Sequence, residues 1–199
     1  MLRPICRLFV CFGLLASSAF GGVDLTPSYH RIDLGGTSIE RVYFRDGNKQ
    51  YAVTINPEIE ITKAGSGAVF RFKSFPLADM SLRPSSFTPE IPFSTEKLPD
   101  YRRAARELLG PMAEVVEQSE PEFDVLPINE WKSCRFNFTF KQAGLTLKAD
   151  VTFLNLSKSQ QIMIVTSAKE AHFADVQGRA HKIMSRWHLV QPGDELGVN

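Results

Sequence analysis

The stretch WKSCRFNFTFKQAGLTLKADVTFLNLSKSQQIMIVTS, residues 131–167, decides the fold. Successive side chains of a β-strand point to opposite faces of the sheet. Cys134, Phe136, Phe138 and Phe140 therefore share one face, and Arg135, Asn137 and Thr139 the other. Gln142-Ala143-Gly144 turns the chain. Leu145, Leu147, Ala149, Val151 and Phe153 then alternate with Thr146, Lys148, Asp150 and Thr152. After Asn155–Ser159, the run Ile162-Met163-Ile164-Val165 is apolar on both faces, the pattern of a central strand covered on both sides. Together these segments read as a three-strand antiparallel meander.

C-terminal to the meander, the pattern switches to a helical period. Phe173, Val176, Ala180, Ile183, Met184 and Trp187 form one apolar stripe. Ser167 with Glu170 three residues later matches a capping box, and Pro192-Gly193 ends the pattern. Residues 193–199 read as a tail. Upstream, DYRRAARELLGPMAEVVEQ (100–118) also has helical spacing, with Asp100 as the N-cap. Gly110-Pro111 falls inside that pattern and predicts a kink or two short helices. Five prolines between Pro76 and Pro99 predict a long surface connection with room for one short strand. Residues 40–75 predict three or four strands, with turns at Asp46-Gly47-Asn48 and Gly65-Ser66-Gly67. Residues 22–38 read as an irregular lead-in, and 39–192 as one domain.

The first 21 residues are different in kind. Arg3 and Arg7 precede the apolar LFVCFGLL, and small residues follow. This is the anatomy of a secretory signal peptide, with cleavage after Ala19 or Gly21. A retained anchor is the competing reading, and the apolar run is short for one. Cleavage takes 23 cations to 21 against 22 acids, a net charge of −1 in place of +1. No basic excess remains to hold nucleic acid. Cys6 and Cys11 leave with the signal, so the lone Cys134 has no intramolecular disulfide partner.

The order of elements resembles the PsbP-like family over roughly residues 40–190. The features that carry the resemblance are the central strand Ile162–Thr166, the polar step Ser167-Ala168, the helix bearing Phe173 and the closing aromatic Trp187. The resemblance implies an α+β fold, a three-layer α/β/α sandwich around a mainly antiparallel sheet. It also implies a non-catalytic, extracytoplasmic binding or assembly protein. Plant and cyanobacterial members associate with photosystem II, and a nuclear-import cofactor shares the fold, so the fold alone does not set function. This chain departs from the photosystem members in an additional early hairpin and a long Pro-rich connection.

The residues hold little that reads as catalysis. Cys134 lines up with Phe136 and Phe138, the setting of a buried, inert thiol rather than of a nucleophile with a depressed pKa. His181 and His188 lie on one helix side but roughly 10 Å apart along its axis, too far to share a zinc ion. His172 falls near the opposite rim of the stripe, and His30 lies in the lead-in. Glu114 with Glu117, and Glu120 with Glu122, read as solvated pairs. Asn137 and Asn155 begin glycosylation sequons. No phosphate loop, dinucleotide fingerprint, zinc motif or nucleophile elbow is present, and no cofactor is expected. Arg179, His181, Lys182, Arg186 and His188 together read as a basic docking surface for an acidic partner. The expected function is that of a secreted or periplasmic, non-enzymatic binding protein of the cell envelope. Its mature chain is expected to be soluble and to touch membranes only peripherally. Contacts would run through a sheet edge, the Pro-rich connection or the C-terminal helix. A small-ligand or lipid carrier, its fifteen phenylalanines lining a cavity between layers, is the alternative. A hydrolase is a third reading, and it needs a histidine beside Cys134.

Overall fold

The computed structural model describes residues 23–34, 37–46, 49–89, 93–126 and 128–190. The segment expected to be a signal peptide, the centre of the Asp46-Gly47-Asn48 turn, the expected Pro192-Gly193 stop and the expected 193–199 tail lie outside them. In chain order the strands are β1 (Asp24–Leu34), β2 (Thr37–Asp46), β3 (Lys49–Thr54), β4 (Ile59–Ala64), β5 (Gly67–Phe72) and β6 (Asp79–Pro84). Helix α1 (Leu98–Glu107) follows, then β7 (Glu114–Gln118), β8 (Glu122–Phe123), β9 (Ser133–Gln142), β10 (Leu145–Asn155) and β11 (Gln161–Lys169). A 3-10 turn (Glu170–His172) leads into α2 (Phe173–Ser185), and β12 (His188–Leu189) closes the series.

The meander forms as its alternation dictates. β9 and β10 pair antiparallel across the Ala143-Gly144 turn, and β10 pairs antiparallel with β11. β11 is the middle of a large sheet ordered β4-β5-β6-β11-β10-β9-β7, with β8 also paired to β9. Its residues divide between two cores. Met163 and Val165 join Cys134, Phe136, Phe138, Phe140, Val151 and Phe153 beneath α1. Ile162, Ile164 and Ala168 face the other way, onto the stripe of α2 and a small sheet ordered β1-β2-β3-β12. The layers are therefore α1, the large sheet, and α2 with the small sheet, an α+β architecture whose strand pairings among the described residues are all antiparallel. Burying apolar area on both faces of a central strand is the dominant stabilising term in such a core. β5 and β6 also approach so closely that a Cβ on Gly67 would stand 2.1 Å from the Leu82 carbonyl oxygen, so only glycine fits there.

Several expectations change. Residues 24–34 are not an irregular lead-in but a strand paired with β2, and Val23 and Leu25 enter the core. Pro27 is accommodated because β1 is an edge strand whose register shifts between Asp24 and Ser28. The hairpin strands of 40–75 number four, but β2 and β3 belong to the small sheet and β4 and β5 to the large one. The Pro-rich connection contains β6, which pairs directly with central β11 and carries Pro84 at its last position. Its Phe87 and Phe93 pack on Tyr101 of α1 at 4.5 and 5.3 Å.

The kinked helix is instead one helix and one strand. α1 ends by Leu108, Gly110 takes a φ of +87°, and β-branched Val115 and Val116 continue in β7, paired with β9. The α1 N-cap is Lys97 rather than Asp100, which sits in the first turn bonded to Arg103 at 2.6 Å. Ser167 does not cap a helix either. It lies in β11 and its hydroxyl donates to Asp79 Oδ1 at 3.0 Å. α2 ends at Ser185 with Arg186 as its C-cap, and the chain then returns to pair with β3.

Candidate functional site: the two flanks of helix α2

The apolar stripe seats α2 on the sheet, so the residues beside the stripe fall on two opposite flanks. One flank carries Gln177 and His181 and looks onto the polar face of β9 and β10. The other carries Arg179, Lys182 and Arg186 and looks onto the β3–β4 connection.

On the first flank, alternation places Arg135 and Asn137 of β9 and Asp150 of β10 beneath the helix. Gln177 Nε2 donates to Asp150 Oδ2 at 2.8 Å. Asp150 is 2 % exposed, and burial pushes its carboxyl up to about 6 against the hydrogen bond from Gln177, the charge of Arg135 and the hydrogen bonds of Thr166. Arg135 donates to Glu122 of β8 at 2.6 Å and stands 3.3 Å from His181 Nε2. A guanidinium only donates, so Nε2 is the acceptor and the His181 proton resides on Nδ1. Burial first, and then Arg135, lower the His181 pKa and keep the ring neutral. Asn137 also donates to Glu122. Of these groups, Glu122, Arg135, Asn137 and Gln177 border a polar cleft of about 350 Å³ reaching to Glu117, Thr139 and Lys148. Donors and acceptors in it are largely paired with one another.

The second flank is more open. Arg179 donates to Glu58 Oε2 at 2.9 Å and lies over the Phe75 ring at 4.9 Å. Glu58 also accepts from Ser74 at 3.2 Å, and both partners hold its carboxyl below its ordinary pKa. Lys182 and Arg186 are exposed and have no carboxylate partner among the described residues. With Thr54, Asn56 and Ile183 they line a groove of about 500 Å³.

The five residues expected to form one basic surface are thus divided. Arg179, Lys182 and Arg186 share the groove. His181 faces the other way, onto Arg135. His188 has left the helix for β12, its Nδ1 donating to the Arg186 carbonyl at 3.0 Å. His172 packs on Phe75 at 5.6 Å, and His30 on Tyr43 at 4.9 Å. The Arg135–Asp150–Gln177 set was not expected. Its residues were readable as the polar side of two strands, and only the path of α2 across that side buries them.

Cys134 is fully buried among the phenylalanines, on the sheet face opposite Arg135 and His181. Burial pushes its thiol up to about 12. The native protein is therefore expected to resist a thiol reagent at pH 8 and to label fully only in denaturant. Rapid native labelling would show that the β9 face opens. Asn155 closes β10 at 2 % exposure, its amide oxygen accepting from Gln161 at 2.7 Å, so a glycan there does not fit the folded chain.

No family model and no curated protein matches this chain. Among solved structures, it is similar to LpqN of Mycobacterium tuberculosis, a protein involved in cell envelope biogenesis. That match has 7 % identity and a TM-score of 0.49, covering 83 % of this chain and 92 % of that one. It is similar also to the cyanobacterial PsbP of Synechocystis sp. PCC 6803, at 14 % identity and a TM-score of 0.45, covering 70 % and 86 %. A PsbP and an envelope protein are both among the structures similar to it.

Proposed function

We propose that this chain is an exported, non-catalytic binding protein of the cell envelope that docks an acidic surface of a partner protein against the Arg179–Lys182–Arg186 flank of α2. The observation that carries the reading is the uncompensated charge of that groove. Its carboxylate, Glu58, is engaged by Arg179 and Ser74, which leaves Lys182 and Arg186 free to pair across an interface. The other surfaces considered from sequence are less available. Edge strand β7 is bulged at Val116 and flanked by Glu114 and Glu117, which discourages strand addition. At the other edge, the Tyr29 hydroxyl already donates to the β4 carbonyl of Ile61. The Pro-rich connection spends Phe87 and Phe93 on α1.

Export is supported by the basic, apolar and small-residue segments of the first 21 residues. A non-catalytic role is supported by the sealed Cys134, by the neutral His181 on the opposite sheet face, and by an Asp150 closed off by its own partners. A carrier has less support, because the phenylalanines meet one another: Phe153 lies 5.9 Å from Phe87 and 6.3 Å from Phe136. The double charge reversal Lys182→Glu with Arg186→Glu is expected to weaken capture of the partner from native envelopes about tenfold or more and to reduce its salt dependence. Undiminished capture by the folded double variant would remove this flank from the interface.

A further inference from the structure

A second concentration of cations lies on the other side of the molecule. Helix α1 places Arg102, Arg103 and Arg106 within one helical turn, beside β7. They line a groove of about 460 Å³ with Thr95 and with Gln118 of β7. Gln118 pairs with Phe138, whose side chain packs beneath α1, so Gln118 is on the α1 side of the sheet.

The present partners of these arginines are weak ones. Arg102 bonds Glu120 at 2.9 Å, but the Glu120 side chain is 89 % exposed. Arg103 bonds Asp100 at 2.6 Å in an i,i+3 pair of exposed side chains. Such pairs contribute little in water. Arg106 has no acceptor among the described residues. Against this, two nitrogen donors bordering the groove, Arg102 Nε and Gln118 Nε2, are sealed from solvent without an acceptor. A buried donor left unpaired costs more than an exposed ion pair returns. The arrangement therefore favours exchange of Glu120 for a stronger anion. Swinging Arg102 from Glu120 onto that anion would also bring its Nε out to an acceptor.

We propose that the α1–β7 groove is a binding site for a phosphate monoester. Three guanidinium forks and an amide present more donors than the two oxygens of a carboxylate can use. A phosphate dianion offers three terminal oxygens and twice the charge. Arg102 and Arg106 clamp it, Arg103 leaves Asp100 to join them, and Gln118 and the Thr95 hydroxyl complete its shell. The site is independent of the α2 flank and stands whether or not that flank docks a protein.

Inorganic phosphate titrated into the full chain, followed by calorimetry with acetate at matched ionic strength as the comparison, tests the site. Saturable phosphate binding at least tenfold tighter than acetate is expected. Arg102→Ala with Arg106→Ala should lose at least tenfold, whereas Glu120→Gln should tighten binding by removing the competing carboxylate, a gain no structural defect produces. Lys182→Glu with Arg186→Glu should leave it unchanged, so the two surfaces fail or succeed separately. Should the double arginine variant not fold, Arg106→Gln and Glu120→Gln give the same two readings with opposite signs. Sedimentation with phosphatidylcholine vesicles containing phosphatidic acid, reversed by phosphate, assigns the site to a lipid headgroup. Phosphate binding without sedimentation assigns it to a soluble monoester. Absence of saturable phosphate binding, equal affinity for acetate, or full affinity in the arginine variants overturns the proposal.

Discussion

Trp187→Ala is expected to cost about 3–5 kcal/mol of folding stability, the range for truncating a large buried aromatic. Trp187 is 2 % exposed and follows the end of α2. Its ring stacks on Phe44 of β2, centroids 5.0 Å apart and planes 11° from parallel, and lies 5.9 Å from Tyr51 of β3. Its carbonyl accepts from Asn129 at 3.4 Å. One side chain thus joins the closing helix to the small sheet. A domain with a net stability of about 5–15 kcal/mol has little margin for such a loss. Trp187→Phe separates the packing from the polar cost. The indole Nε1 is buried without an acceptor, so phenylalanine gives up area but removes an unsatisfied donor. Its expected loss is no more than about 1–2 kcal/mol. Urea unfolding followed by far-ultraviolet circular dichroism checks both variants. A loss below about 1 kcal/mol for the alanine variant would mean that the small sheet is held by other contacts.

The stack also marks where sequence reading succeeds. Periodicity placed Trp187 on the α2 stripe, and it placed Phe136, Phe138 and Phe140 on one strand face, because each pattern comes from a single element burying a single face. What periodicity does not report is which element covers the other face. Asp150 alternates with Ala149 and Val151 and so reads as solvent-facing, yet α2 lies over it. His181 is separated from Lys182 by the same geometry: adjacent residues on a helix diverge by about 100°, and here the two straddle the side of α2 opposite its buried stripe, so each leans to a different flank. Local chemistry misled in other places. Val115 and Val116 continue the helical spacing of α1, but Gly110 ends the helix and a free β9 edge is available to pair with them. Residues 22–38 read as an irregular lead-in, yet β1 forms across Pro27 because an edge position with a shifted register tolerates a proline. Expectations built on one element held better than those needing knowledge of the neighbouring one.

Asp150→Asn is expected to raise stability at neutral pH, although the substitution removes a hydrogen-bonded charge. Burial moves the Asp150 carboxyl from an ordinary 3.8 to about 6. A raised acid pKa means that the folded chain binds a proton more tightly than the unfolded one. Stability is therefore greatest below the unfolded value and falls as the pH rises from about 4 to about 6, after which the penalty is constant. A shift of about two units corresponds to about 3 kcal/mol. Asparagine keeps the shape and carries no charge to desolvate. Its amide oxygen can accept from Thr166, and the Gln177 amide can turn to accept from its nitrogen. Arg135 keeps Glu122 at 2.6 Å, so the substitution does not strand its guanidinium. The expected gain is about 1–3 kcal/mol at pH 7, smaller than the full penalty because the new amide pairing is imperfect. The distinguishing measurement is the pH dependence of the urea midpoint between pH 4 and 7. The native chain should lose stability across that window, and the variant should lose markedly less. A variant less stable at pH 7, with the native slope retained, would show instead that ionised Asp150 is stabilised by Arg135, Gln177 and Thr166 beyond its cost of burial. Under that outcome the charge would hold α2 in place. Under the expected one, α2 is held by its apolar stripe against a residual electrostatic penalty beneath its Gln177 flank.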